Sequence, residues 1–236
     1  MTARRWLIAL GAVAAVAVIA TWPVTTRWGL NYHVARKRIP LYEKAINFIS
    51  RDLQLRRLTR ELIAGTPGEE QQLLRLFSWV TEHIRPTPDG FPIMDDHVLH
   101  VIIRGYGAAD QRTEVFAVLA SYVGFQASVA QLTPPSSPRR NLLVALVTSG
   151  ARTYVFDIIN QVVFRDAGGH LADAHQLLAD PRLIEAAAPG RVLRGMPYRD
   201  YFLGFDRSKI FSRTEAQQLW PRLKQEVERV LGGRHG

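Results

Sequence analysis

Along the chain, apolar and polar positions change rhythm several times. From Trp6 to Val24 no charged residue interrupts the apolar run, the pattern of a helix that is apolar all round rather than on one face. From Leu30 to Ile63 the apolar positions return at helical spacing. Leu41, Ala45, Phe48 and Ile49 make a stripe that Leu53, Leu55, Leu58 and Leu62 continue, and the outer face is basic. Gly65-Thr-Pro-Gly68 breaks the chain. Thr66-Pro-Gly-Glu69 then reads as an N-cap with early acidic residues, opening a helix through Leu73, Leu74, Phe77, Val80 and Ile84. Pro86-Thr-Pro-Asp-Gly90 closes it, and Asp95 to Ile103 reads as a short helix capped by Asp95 or Asp96. The loop Gly105-Tyr-Gly-Ala-Ala-Asp-Gln111 follows. It runs into an amphipathic helix in which Val115, Val118, Leu119 and Tyr122 fall at i, i+3, i+4, i+7, with Gly124 as its stop.

Beyond Gly124 the period changes to two. Gln126 to Leu132 alternates, and Leu142–Val147 and Thr153–Asp157 flank the hairpin turn Thr148-Ser-Gly-Ala151. Gln161–Phe164 reads as a further short strand, and Pro134-Pro-Ser-Ser-Pro138 as a loop between strands. Helical pieces follow around Ala172–Leu178 and Thr214–Leu231. No internal repeat is present. Helices first and an antiparallel meander afterwards indicate an α+β domain, not alternating βαβ units. The expected organisation is an N-terminal membrane segment over 1–29, helices over 30–65, and the main domain with a C-terminal helical extension over 66–236.

Composition sharpens this picture in three places. At 236 residues with 47% apolar content, the chain suffices for a packed domain. With no cysteine at all, disulfides, thiolate metal sites and thiol chemistry are excluded, while the compartment stays open. The net charge of +9 is carried by scattered Arg and Lys without a nucleic-acid reading motif. It is read as a solvated basic surface or a membrane-facing patch, and no nucleic-acid partner is expected. The first apolar run is close to the ~20 residues a membrane-spanning helix needs, with Trp6, Trp22 and Trp28 at its margins. A cleavable signal peptide competes with an uncleaved single-pass anchor. The length of the run and its Thr-Trp-Pro ending favour the anchor. Arg27, Arg36, Lys37 and Arg38 favour a cytoplasmic domain by count; the short Arg4-Arg5 leader favours an extracytoplasmic one, which is the expectation adopted.

The glycine loop and the helix after it resemble the core motif of the transglutaminase-like (papain-like) cysteine enzymes. In that family a glycine-rich turn delivers a cysteine to the first turn of a buried helix, roughly as Gly-x-Cys-Asp-Gln. Gly107, Asp110, Gln111 and Gly124 match, Ala109 stands at the cysteine position, and the resemblance covers roughly residues 70 to 165. It implies a central helix packed on an antiparallel sheet. It also implies a histidine opening the strand that enters a hairpin and an aspartate ending the strand that returns. A helix N-terminus stabilises a thiolate, an imidazole carries its proton, and a carboxylate orients the imidazole. Asp157 ends Tyr-Val-Phe-Asp and fits the aspartate position. Asn141, or Leu142 with a shift of one, stands at the histidine position, and neither is a base. The expectation is therefore a non-catalytic, membrane-anchored binding or scaffold module at the cell envelope. Ala109, Asn141 and Asp157 are its vestigial triad, and Gly107, Asp110 and Gln111 line the site. A peptide, glycan-linked or protein partner is implied, with no cofactor. An active hydrolase or acyltransferase using other residues, or a structural subunit of a membrane complex, are the competing readings.

Four smaller groups complete the inventory. His97 and His100, beside Asp95 and Asp96, would share a helix face as metal-binding histidines do, although a helix cap accounts for the same residues. Asp166, His170, Asp173 and His175 read as a loop and helix start near Gly168-Gly169, and no metal is expected at either place. Ser121 lacks a Gly-x-Ser-x-Gly elbow. The aromatic run Tyr198-Arg-Asp-Tyr-Phe202 suits either a groove lining or core packing.

Overall fold

The computed structural model describes residues 3–31, 33–95, 97–137, 139–207, 209–214, 218–222 and 224. The first apolar run forms helix α1, Ala3–Thr21. Pro23 ends it, because proline has no N–H to donate and restricts the residue before it. The uncharged stretch inside α1, Trp6 to Thr21, rises about 24 Å at ~1.5 Å per residue, short of a ~30 Å hydrocarbon core. No helix among the described residues is long and apolar enough to cross a membrane. The spanning helix expected over 1–29 is corrected to this shorter one.

The next segment corrects the sequence reading again. Instead of a helix from Leu30, strands β1 (Pro23–Leu30) and β2 (His33–Pro40) form an antiparallel hairpin, in register from Pro23↔Pro40 to Leu30↔His33. Asn31 takes the left-handed turn conformation, φ 47°, which asparagine tolerates better than most residues. Helix α2 begins only at Leu41, after Pro40, and runs to Ile63. Helix α3, Glu69–His83, starts later than expected, because Gly68 (φ 78°) occupies its N-cap and Thr66 lies outside the helix. It buries Leu73, Leu76, Phe77 and Val80.

Two short strands, β3 (Arg85–Pro86) and β4 (Met94–Asp95), precede helix α4, Val98–Arg104. The cap of α4 is His97, whose Nδ1 accepts from the Leu99 N–H at 3.2 Å. Asp95 lies in β4, and Asp96 lies outside the described residues. Strand β5 (Tyr106–Gly107) pairs in parallel with β3 and delivers the chain to helix α5, Ala109–Val123. Helix α5 is buried on every side, not along one stripe: Gln111–Thr113 and Val115–Ser121 are all buried. Gly124, at φ 118°, terminates it as expected.

The meander follows as β6 (Gln126–Leu132), β7 (Leu142–Ser149), β8 (Arg152–Asp157) and β9 (Val162–Val163). After it come α6 (Ala174–Ala179), α7 (Arg182–Ala187), the small hairpin β10 (Val192–Leu193) and β11 (Met196–Pro197), a 3-10 helix at Tyr198–Arg207, and β12 (Lys209–Arg213). Strand β12 returns to the sheet, giving the order β12-β6-β7-β8-β9 with antiparallel neighbours. The helix expected over Thr214–Leu231 lies largely outside the described residues.

Because strand side chains alternate, the sheet separates two cores. Ala127, Val129, Ala145, Val147, Tyr154 and Phe156 join α5, α3 and α4 on one side. The Phe116 ring of α5 lies tilted against Phe156 at 4.8 Å and meets Phe77 edge to face at 6.2 Å. Leu132, Leu142, Val144, Leu146 and Val155 face a second core with α6, α7 and the 3-10 helix, which includes Tyr198, Tyr201 and Phe202. The aromatic run is thus core. The fold is α+β with a central helix on an antiparallel sheet, as expected, but with a second helical layer behind the sheet.

A buried carboxylate joins α2 to this centre. Asp52 is 4% exposed and accepts from Arg56 Nε (2.7 Å), the Tyr122 hydroxyl (3.0 Å) and the Leu219 N–H (3.3 Å). Asp52→Ala is expected to lower unfolding stability by about 2–3 kcal/mol in urea, since it removes a buried acceptor shared by three donors from three segments. Arg56, half in water, should cost less than about 1 kcal/mol on truncation. Equal effects of the two substitutions would contradict this assignment.

Candidate functional site

The tip of α5 is built from a close backbone approach. Gly107 is buried, and a Cβ there would come within 2.9 Å of Val101 Cγ1 and 3.2 Å of Gln111 Cβ, so only glycine lets β5 pass under α4. Gln111 then closes the loop from inside. Its Oε1 accepts from the Ala108 N–H (3.1 Å) and from Arg104 Nη2 (3.0 Å), and its Nε2 donates to the Met94 carbonyl. Arg104 Nε also donates to the Tyr106 carbonyl at 2.8 Å. Arg112, buried, donates to the Ile84 carbonyl at 2.9 Å, and its burial lowers the guanidinium pKa. Gly107 and Gln111 are therefore the scaffold of the tip, and Asp110 sits in the first turn, where a carboxylate complements the helix dipole.

Ala109 is the first residue of α5 and is exposed. Thr113, one turn along, donates its hydroxyl to the Ala109 carbonyl (2.9 Å) and is fully buried. Beside the tip lies an aromatic edge that the sequence reading overlooked. Arg104 sits over the Tyr106 ring at 5.4 Å, and Tyr106 meets the exposed Phe91 edge to face at 5.8 Å. Arg104 and Tyr106 are near neighbours in the chain, but Phe91 comes from the loop before β4, so no single local pattern announces the edge.

Asn141 stands directly before β7 and is half-buried. Helix α5 rises about 22 Å over its fifteen residues, and β6 turns back and covers about 23 Å over seven. Leu132, the last residue of β6, pairs with Leu142. Asn141 is in phase with Ala145 and Val147, which face α5.

Asp157 is placed differently. It pairs with Val162 and is in phase with Val155, on the far side of the sheet. Its fully buried carboxylate accepts from the Tyr198 hydroxyl (2.7 Å), Asn160 Nδ2 (2.7 Å) and the Asn160 N–H (2.9 Å). Burial pushes its pKa up, against those hydrogen bonds and the Arg191 charge, and burial also raises the Tyr198 phenol. Asn141 is thus in phase with the face of the sheet that packs on α5, and Asp157 with the opposite face.

The remaining candidates have local duties. His97 caps α4. Asp166 accepts from the Gly168 and His170 N–H groups, and Asp173 caps α6 in a reciprocal pair with Gln176. His170 Nδ1 lies 3.3 Å from Glu70, which also accepts from the Leu171 N–H. Ser121 donates to the Val118 carbonyl at 2.7 Å, in the last turns of α5 and far from its tip. No group of three or more His, Asp or Glu among the described residues is arranged to hold a metal ion.

No protein-family model matches the chain, and no curated protein matches it. Solved structures do. A "putative cysteine protease" from Cytophaga hutchinsonii is 12% identical over 56% of this chain and 48% of its own, with a TM-score of 0.40. A "putative protease" from Parabacteroides distasonis is 10% identical over 58% and 36%, with a TM-score of 0.37. A TGase is 12% identical over 63% and 46%, with a TM-score of 0.38. The chain spans less than half the length of each of these proteins.

The Asp157 geometry has a pH signature. A carboxyl whose folded pKa is raised stabilises the fold fully below the ordinary carboxylate range and loses that contribution as pH rises through its folded value. The unfolding midpoint of the natural chain minus that of Asp157→Asn should therefore fall as pH rises from about 4 upward. A difference independent of pH would show that burial does not govern Asp157.

Proposed function

We propose that this chain is a transglutaminase-like domain that binds rather than cuts. The reading rests on one observation: at the exposed first turn of the buried helix stands Ala109, in a chain without cysteine. The tip still offers backbone N–H groups at the positive end of a helix dipole, suited to a carbonyl or carboxylate. The Phe91–Tyr106–Arg104 edge beside it supplies apolar and cationic surface. A peptide or glycan-linked peptide at the cell envelope fits these two features together. The orientation of Asp157 supports the same reading, because its acceptor positions are taken by Tyr198 and Asn160.

The natural chain should show no hydrolysis or acyl transfer on glutamine-containing fluorogenic peptides. Ala109→Cys should be alkylated by iodoacetamide at pH 7 several-fold faster than Gln54→Cys on the exposed face of α2, because a helix N-terminus lowers a thiol pKa. Turnover by the natural chain that Ala109→Trp abolishes would overturn the binding reading.

The domain is proposed to be held at a membrane by α1. Leu7, Ile8, Leu10, Val13, Val16 and Ile19 are each more than 60% exposed, on all sides of the helix, and an apolar helix with so much surface in water gains by entering lipid. In a density gradient the full chain should float with phosphatidylcholine vesicles, and a chain lacking residues 1–21 should float much less. Equal flotation of the two would remove the attachment from α1.

A further inference from the structure

Helix α2 carries two stripes, only one of which is covered. Asp52, Leu55 and Thr59 face the core. Tyr42, Ile46, Ile49 and Leu53 follow one another at steps of three or four along another face, and they are 49, 61, 45 and 60% exposed. The same line continues at Arg57 and Arg60, both exposed. Four apolar side chains in a row, ending in two arginines, are not what a solvated helix face needs.

The charge around this stripe is one-sided. Residues 22–64 hold nine Lys and Arg against three Asp and Glu, which is six of the chain's net +9. Of the three acids Asp52 is buried, and Glu61 accepts from Arg57 at 2.8 Å. The β1–β2 hairpin lies against the start of α2: Lys44 Nζ donates to the Thr25 carbonyl at 3.2 Å, and the Leu41 N–H to the Trp22 carbonyl at 2.9 Å. Arg36, Lys37 and Arg38 of β2 are exposed there. The Leu41–Trp22 bond also places the stripe next to the end of α1.

We infer that the exposed stripe of α2 and the basic β1–β2 hairpin form a docking surface for an anionic lipid bilayer. The stripe enters the boundary between headgroups and acyl chains, and the flanking cations meet lipid phosphates and carboxylates. A nucleic acid would engage the cations and leave Ile46, Ile49 and Leu53 without partners. The inference rests on the proposed membrane attachment and adds to it a lipid class and a second contact.

The absence of cysteine makes the test direct, since a single introduced thiol takes a fluorophore at one site. Full-length Leu53→Cys and Gln54→Cys, each labelled with the polarity-sensitive dye NBD, are mixed with vesicles of phosphatidylcholine alone or with about 30% phosphatidylserine. Emission from position 53 should rise about threefold or more with anionic vesicles and much less with neutral ones, while position 54 changes little. Adding Arg36→Glu, Lys37→Glu and Arg38→Glu should weaken anionic binding by at least about tenfold, leaving flotation with neutral vesicles unchanged. Equal responses at 53 and 54, equal responses to the two vesicles, or the same response to a single-stranded oligonucleotide would overturn the docking surface. Flotation with both vesicles and a silent position 53 would overturn this inference alone. No flotation with either would overturn the attachment through α1 as well.

Discussion

Burial of most of α5 beyond its exposed first residue is the constraint on which the rest of the molecule depends. A helix with so little solvent face keeps the loop that feeds it largely in protein, and each polar group orphaned there would cost about 1–3 kcal/mol. Gln111 meets that demand by bonding Ala108, Arg104 and Met94 at once, and Gly107 makes room for it. The consequence is a tip tied to β4 and α4. Met94 belongs to β4, which pairs with β1 at Leu30, so the N-terminal hairpin is fixed one strand away from the tip. A ligand at Ala109 would therefore be presented near the surface proposed to meet lipid.

Two other buried carboxylates divide the work of assembly. Asp52 holds α2 against α5 through Tyr122, and Asp157 holds the far layer to the sheet through Tyr198. Neither is free for chemistry, since each already accepts several hydrogen bonds. A strand-end aspartate spent on packing fits the proposal of a site that recognises without reacting.

The centre of the fold was legible because each of its signals is local. Glycines at 105, 107 and 124 bracket a segment whose apolar positions recur at helical spacing, and the strands from Gln126 to Asp157 alternate. The first hairpin was not legible. Arg36, Lys37 and Arg38 mimic the polar face of a helix, and what makes them a strand is pairing with β1. Tyr198–Arg207 adopts a 3-10 helix, whose period of three leaves no 3.6-residue stripe to find. At the site, the position of Ala109 on a helix tip could be read from the loop. The direction of Asp157 could not, because its register with Val162 and its bond to Tyr198 come from chain that folds behind the sheet. The aromatic edge of Phe91 and Tyr106 was hidden for the same reason.

The most direct test of the account follows the backbone at that tip. In a nitrogen-15 labelled chain, titration with a capped glutamine-containing peptide should shift the amide resonances of Ala109, Asp110 and Gln111, and the peptide should be recovered intact. Shifts confined to other regions, or conversion of the peptide during the titration, would contradict the claim that this helix terminus holds a ligand without reacting with it.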